Sequence, residues 1–164
     1  MTDHKMYIGY EREVQDCGSR WVIVVVKPNN RSCKWYSVIG GPEGPDPDDA
    51  VYEHEQIEEK DFKKSDFDDT MPIGWLKEGS LKSFEAVFHR LTLGPNQYFI
   101  VRLVYELFKN KLVQRDFFTD LLKKAKYTAA EWDFFGEEYC EVDKQFRIAQ
   151  LVTVKMYRES IGDL

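Results

Sequence analysis

The chain has 164 residues, of which 43% are hydrophobic and 15% aromatic, and it carries a formal net charge of −6. That length suits a single domain, residues 1–164, able to bury a core without disulfides or a structural metal, and the composition argues against long disordered stretches. The acidic balance argues against a general nucleic-acid binder, which needs a cationic face to displace counterions, and the longest apolar run, Trp21–Val26, is far too short to cross a bilayer.

The N-terminal half reads as β. Tyr7 to Val14 alternates weakly, and Asp16-Cys17-Gly18-Ser19 reads as a turn. Trp21-Val22-Ile23-Val24-Val25-Val26 is continuous and β-branched, which predicts a central strand covered on both faces. Lys27-Pro28-Asn29-Asn30 breaks it, and Lys34 to Ile39 returns as the second arm of a hairpin. Gly40 to Pro47 holds three prolines and three glycines in eight positions, so a long acidic loop follows, to Asp49. Val51 to Ile57 is the next strand, with Tyr52, His54 and Gln56 on one side and Glu53 and Glu55 on the other. Glu58 to Asp69 is charged and reads as exposed, held down by Phe62 and Phe67. Thr70 to Leu76 reads as a last strand or an extended lead into the helices.

The C-terminal half reads as α. Ser80 is placed to cap a helix bearing Leu81, Phe84, Phe88 and Leu91 at spacings of three and four. Gly94-Pro95 ends that unit, and Asn96 can cap the next helix, which runs to about Leu112. Its apolar residues cover most of its surface and leave Arg102, Glu106 and Lys109 as a solvent edge, so it belongs against the sheet. A third helix carries Phe117, Phe118, Leu121 and Leu122, and Thr128-Ala129-Ala130-Glu131 has the capping-box pattern of a fourth. Glu141 to Glu159 fits helix through Val142, Phe146, Ala149, Val152 and Met156; Val152, Val154 and Met156 also fit a strand. The fold class is α+β, an antiparallel sheet from the N-terminal half packed on a buried helix, with further helices in the C-terminal half.

Cys17, Cys33 and Cys140 are odd in number and widely spaced, with no CxxC pair, and the first residues show no apolar leader. A reducing, cytoplasmic or nuclear setting fits, and the scatter of cysteines and histidines suggests no metal site.

Arg20-Trp21-Val22-Ile23-Val24-Val25 is similar to the His-Trp-x-Ile-Tyr-Val often found on the first core strand of circularly permuted papain-like proteins. Asn96-Gln97-Tyr98-Phe99-Ile100-Val101 is similar to their Asn-Cys-x-x-Phe-Val at the start of the buried helix. The chain thus resembles the superfamily of the lecithin:retinol acyltransferase-like and PPPDE-type proteins, to which the peptidoglycan amidases belong in unpermuted form. It also resembles a group of small fungal proteins in Arg20 to Val22, Val38 to Pro42, Tyr52 to His54, and the Pro-x-x-Tyr helix entry at Pro95. The resemblance covers roughly residues 6 to 113.

The chemistry of that superfamily needs a thiolate at a helix N-terminus, where the backbone dipole lowers the thiol pKa, and a histidine on a neighbouring strand. Here the resemblance puts Gln97 in the cysteine's place and Arg20 in the histidine's. An amide is no nucleophile, and a guanidinium is no base at neutral pH. The first expectation is therefore a degenerate, non-catalytic papain-like domain. It would bind a small molecule or a protein partner between the Arg20 strand and the Gln97 helix end. Arg20, Trp21, Trp35, Asn96 and Gln97 are the binding candidates, with the guanidinium and amides forming an anion-tolerant floor and Trp21, Trp35, Tyr36 and Trp75 available to line a pocket. The second is a small-molecule isomerase, cyclase or hydrolase using His54 as acid and base with Tyr36 or Arg20. The third is a thiol hydrolase or acyltransferase using Cys17 or Cys33. None calls for a cofactor, a metal, a nucleic acid or a membrane.

Overall fold

The protein is described by a computed structural model over residues 3–11, 19–29, 31–42, 50–94 and 96–125. Five strands come first: β1 (His4–Tyr10), β2 (Trp21–Val26), β3 (Ser32–Pro42), β4 (Ala50–Asp61) and β5 (Asp69–Leu76). Three helices follow: α1 (Leu81–Arg90), α2 (Asn96–Lys109) and α3 (Phe118–Lys124). The strands form one antiparallel sheet in the order β4-β3-β2-β1-β5. The fold is α+β. Of the acidic loop expected over 40–49, Gly40, Gly41 and Pro42 instead continue β3, paired with Tyr52, Val51 and Ala50 of β4. Its remainder at 43–49, Cys17, Cys140, the capping box at Thr128 and the segment Glu141 to Glu159 lie outside the described residues.

The β-branched run of β2 takes the centre of the sheet, and all six of its residues are buried. Because side chains alternate across a strand, its two faces feed two cores. Trp21, Ile23 and Val25 join Met6, Ile8, Tyr10, Tyr36 and Val38 beneath the helices. Val22, Val24 and Val26 join Tyr7, Cys33 and Trp35 on the other face.

Some boundaries differ from the sequence reading. β1 lies three residues earlier at its start than Tyr7 and stops at Tyr10. Its span is set by pairing with β2, from Lys5↔Val26 to Tyr10↔Trp21, and burial on both sides leaves little alternation to read. β4 runs on past Ile57 through Glu58 to Asp61, a charged stretch expected to be exposed beyond the end of the strand; Glu58 and Asp61 are exposed within it. β4 is the margin of the sheet among the described residues, and charge on a marginal strand discourages unwanted pairing with other chains.

From β4 at one margin the chain returns to β5 at the other by a strap, residues 62–68, laid across the second face. Phe62 N–H donates to the Arg31 carbonyl at 2.8 Å, and Asp68 N–H to that of Tyr10 at 2.8 Å. Between these anchors, Phe62 stacks on Tyr7 with centroids 5.0 Å apart, and Phe67 packs on Trp35 at 5.0 Å. The two phenylalanines do pin the segment, each burial being worth about 1.5–3 kcal/mol. Gly9 makes room for the strap: a Cβ there would lie 2.5 Å from the Phe67 ring.

The other face carries α1 and α2. Nine of the fourteen residues of α2 are buried, which agrees with its nearly all-round apolar surface. Arg102, expected on a solvent edge, is among the buried ones, with its guanidinium 5.9 Å from the Tyr98 ring centroid. Ser80 precedes α1 but does not cap it. A capping residue needs an extended backbone, and Ser80 closes a 3-10 turn, Glu78–Ser80, with φ −99° and ψ 0°.

Candidate functional site

The start of α2 docks where β2 and β3 part. Their register runs from Val26↔Cys33 to Ile23↔Tyr36. Beyond it, the Asn96 side chain enters between the strands. Its Oδ1 accepts the Trp21 N–H at 2.6 Å. Its Nδ2 donates to the carbonyls of Trp21 and Val38, each at 3.0 Å, and to Ser37 Oγ at 2.9 Å. Ser37 in turn donates to the Trp21 carbonyl at 3.0 Å. A side-chain amide thus stands in for the missing rungs of the ladder. Asn96, expected as a helix cap and a ligand contact, is bonded to both strands of the sheet here.

Gln97, which is buried, donates from Nε2 to the Ser19 carbonyl at 2.7 Å. Gln97 thus meets the backbone of the residue just before Arg20 in the chain. The Arg20 guanidinium, however, is turned to two carboxylates. Nε and Nη2 bind Glu11 in a fork, at 3.1 and 2.6 Å, and Nη1 binds Glu55 at 2.7 Å. Burial opposes the charge, but the Glu11 and Glu55 bonds outweigh it and leave the Arg20 pKa above its ordinary value. One cation with two carboxylates has a net charge of −1, so the anion-tolerant floor expected here is corrected to an anion-repelling one. The three side chains are between 24% and 31% exposed, a rim rather than a core.

The four aromatic candidates do not meet in one pocket. Trp21, 3% exposed, sits edge-on to Tyr10 at 5.1 Å beneath the helices, and Tyr36 shares that core. Trp35 lies on the opposite face against Phe67, and Trp75 stands beside Tyr7 on that same face, where the Lys5 ammonium lies over both rings. Across the hairpin Tyr36 faces Ile23, not Trp21.

His54 projects from β4 toward the helices. Its Nε2 is 3.0 Å from the Phe88 carbonyl, and its ring packs edge-on against Phe88 at 4.8 Å, His89 at 5.5 Å and Phe99 at 5.7 Å. A carbonyl only accepts, so Nε2 carries the proton and Nδ1 keeps the lone pair. Desolvation lowers the His54 pKa; the Phe88 carbonyl partly offsets this and His89 adds to it. The ring is neutral at pH 7. Glu55 points to the other face, as the alternation required, and reaches Arg20. Tyr36 donates its hydroxyl to Glu85 at 2.8 Å, and burial first, then Glu85, raise its pKa. The Phe88 ring packs on both Tyr36 and His54, at 5.3 and 4.8 Å, and separates them.

Cys33 is 1% exposed, and burial raises its thiol pKa, with Trp35 and Lys60 opposing the shift. Such a thiol is a poor nucleophile. Among the described residues no three metal-ligating side chains gather, and no helix is long and apolar enough to cross a membrane. Ser37, Glu11, Glu55 and Glu85 complete these networks, and the sequence reading gave them no role in a site; each acts through contacts distant in the chain. Comparison with protein-family models, curated proteins and solved structures gave no match.

Proposed function

We propose that the protein is a non-catalytic binding domain, a degenerate relative of papain-like thiol hydrolases in which the seats of nucleophile and base hold the fold together. What supports this reading is the saturation of the α2 start: Asn96 is bonded to Trp21, Ser37 and Val38, Gln97 to Ser19, and Arg20 to Glu11 and Glu55. The order of strands followed by a buried helix docked at the head of a central strand supports the kinship. A small molecule or protein approaching this junction meets the rim of Arg20, Glu11 and Glu55, which favours cationic or hydrogen-bond-donating groups. The test is to mix the protein with a chromogenic ester and a thioester. No burst and no turnover above buffer is the expected result. A stoichiometric burst that disappears in Cys33→Ser or Cys17→Ser would overturn the reading.

One observation favours a second reading, a small-molecule enzyme. His54 is neutral and its tautomer is fixed by the Phe88 carbonyl, which suits a general base. Turnover abolished by His54→Ala, with an unchanged circular dichroism spectrum, would support it.

A further inference from the structure

The second face of the sheet carries cations that the α2 junction does not use. One transverse row runs Trp75, Lys5, Val26, Cys33, Lys60 from β5 to β4, each residue paired with the next. The Lys5 ammonium lies 5.1 Å from the Tyr7 ring centroid and 5.5 Å from that of Trp75. Lys60 lies 3.8 Å over Trp35, and Arg31, in the turn between β2 and β3, lies 6.0 Å from Phe62. Lys63 and Lys64 adjoin this end in the chain. Among the described residues none of these five cations is in an ion pair, and neither Asp61 nor Asp66, whose charges reach Cys33, takes one up. A chain of net charge −6 thus gathers unpaired positive charge at one end of one face.

We propose that this end of the sheet docks an extended acidic polypeptide with carboxylates at alternate positions and an apolar residue at one end. Lys5 on β1 and Lys60 on β4 are three strand spacings apart, roughly 14 Å at about 4.8 Å each. An extended peptide places its residues i and i+4 on one side at roughly the same separation. Arg31, in the turn joining β2 and β3, lies between them in strand order and is assigned to residue i+2. Trp75, one strand beyond Lys5 and 53% exposed, meets an apolar residue at i−2. Single-stranded nucleic acid fits less well, because bases need open aromatic faces, and Tyr7, Trp35 and Phe62 are 9%, 5% and 6% exposed. An anionic bilayer fits less well too, because Trp75 is the only large hydrophobic side chain exposed among the described residues. The overall acidity does not prevent contact, since charges beyond about 8 Å are largely screened at physiological salt. The residues involved lie apart from the α2 junction, so this proposal stands or falls independently of the function proposed above.

The test is fluorescence anisotropy with a labelled peptide, Leu-Ser-Glu-Ser-Glu-Ser-Glu, at low and moderate salt. Saturable, salt-sensitive binding is expected, with affinity about fivefold to tenfold lower in Arg31→Gly and in Lys60→Ser. Arg31 has φ 58°, where glycine is at home, so Arg31→Gly removes the cation without straining the turn. Lys82→Glu, on the exposed side of α1, should leave the affinity unchanged. Three results would overturn the proposal: no saturable binding, equal affinity for a peptide with its three glutamates in a block, or tighter binding to a single-stranded oligonucleotide or phosphatidylserine vesicles.

Discussion

Asn96 and Trp21 are 75 residues apart in the chain, yet the Asn96 amide both accepts the Trp21 N–H and donates to the Trp21 carbonyl. One side chain replaces a rung of backbone pairing and ties the buried helix to the central strand. The helix end therefore faces the protein's own backbone.

The first consequence concerns stability. Asn96→Ala leaves the Trp21 N–H without its acceptor and removes a donor from the Trp21 and Val38 carbonyls. An orphaned buried group costs about 1–3 kcal/mol, so urea denaturation should show a loss of about 2–4 kcal/mol. Asn96→Asp keeps the acceptor but sets a carboxylate against two carbonyls, and it should be at least as destabilising. A milder effect of Asp than of Ala would show that Nδ2 is not the group that matters.

A second concerns pH. His54 is neutral in the folded protein with its pKa below the ordinary value of 6.5. Between that value and the lowered one, the unfolded chain binds more protons than the folded one, so stability rises with pH. The His54 contribution is complete above pH 6.5 and is lost as the pH falls toward the native value. Denaturation curves across this window should show a steeper slope for the wild type than for His54→Gln. Identical slopes would mean that His54 titrates freely.

The strap yields a third. In Gly9→Ala the new methyl would collide with the Phe67 ring, which lies only 2.5 Å from the Cβ position. Overpacking of this kind costs about 1–3 kcal/mol. Phe67→Leu should relieve part of that cost, so the double variant should lose less than the sum of the singles. Strict additivity would separate the two residues.

Chemical reactivity gives a fourth. Cys33 is buried and its pKa is raised, so iodoacetamide at neutral pH should reach it only at the rate of unfolding. Following Cys33 by mass spectrometry, with Cys33→Ser as control, separates it from the other two cysteines. Rapid labelling of native Cys33 would reopen the thiol reading.

Much of the scaffold was legible in the sequence for simple reasons. The run Trp21–Val26 could only be a doubly covered strand, and Phe84, Phe88 and Leu91 could only serve one helix face. The margins were harder. Glu58 to Asp61 read as an exposed stretch beyond the end of the strand because charge in a strand is tolerable only where one side of the strand is free. β1 was misplaced because its length is dictated by β2 rather than by its own pattern. At the site, Asn96, Gln97 and Arg20 were singled out by resemblance, but their partners were not legible. Arg20 meets carboxylates 9 and 35 residues away, and no local pattern records which long-range carbonyl or carboxylate a polar side chain will find. Trp21 and Trp35 looked able to line one pocket, but strand alternation combined with the register of the hairpin sends them to opposite faces.

Amide hydrogen exchange at Trp21 reports most directly on whether the helix end is built into the sheet. The Trp21 N–H has a side-chain acceptor, Asn96 Oδ1, and its protection in the native protein should approach that of global unfolding, then collapse in Asn96→Ala while Ile23 and Val25 stay protected. Fast exchange at Trp21 in the wild type would mean an open junction with a free amide, contradicting the saturated helix end on which the non-catalytic reading is based.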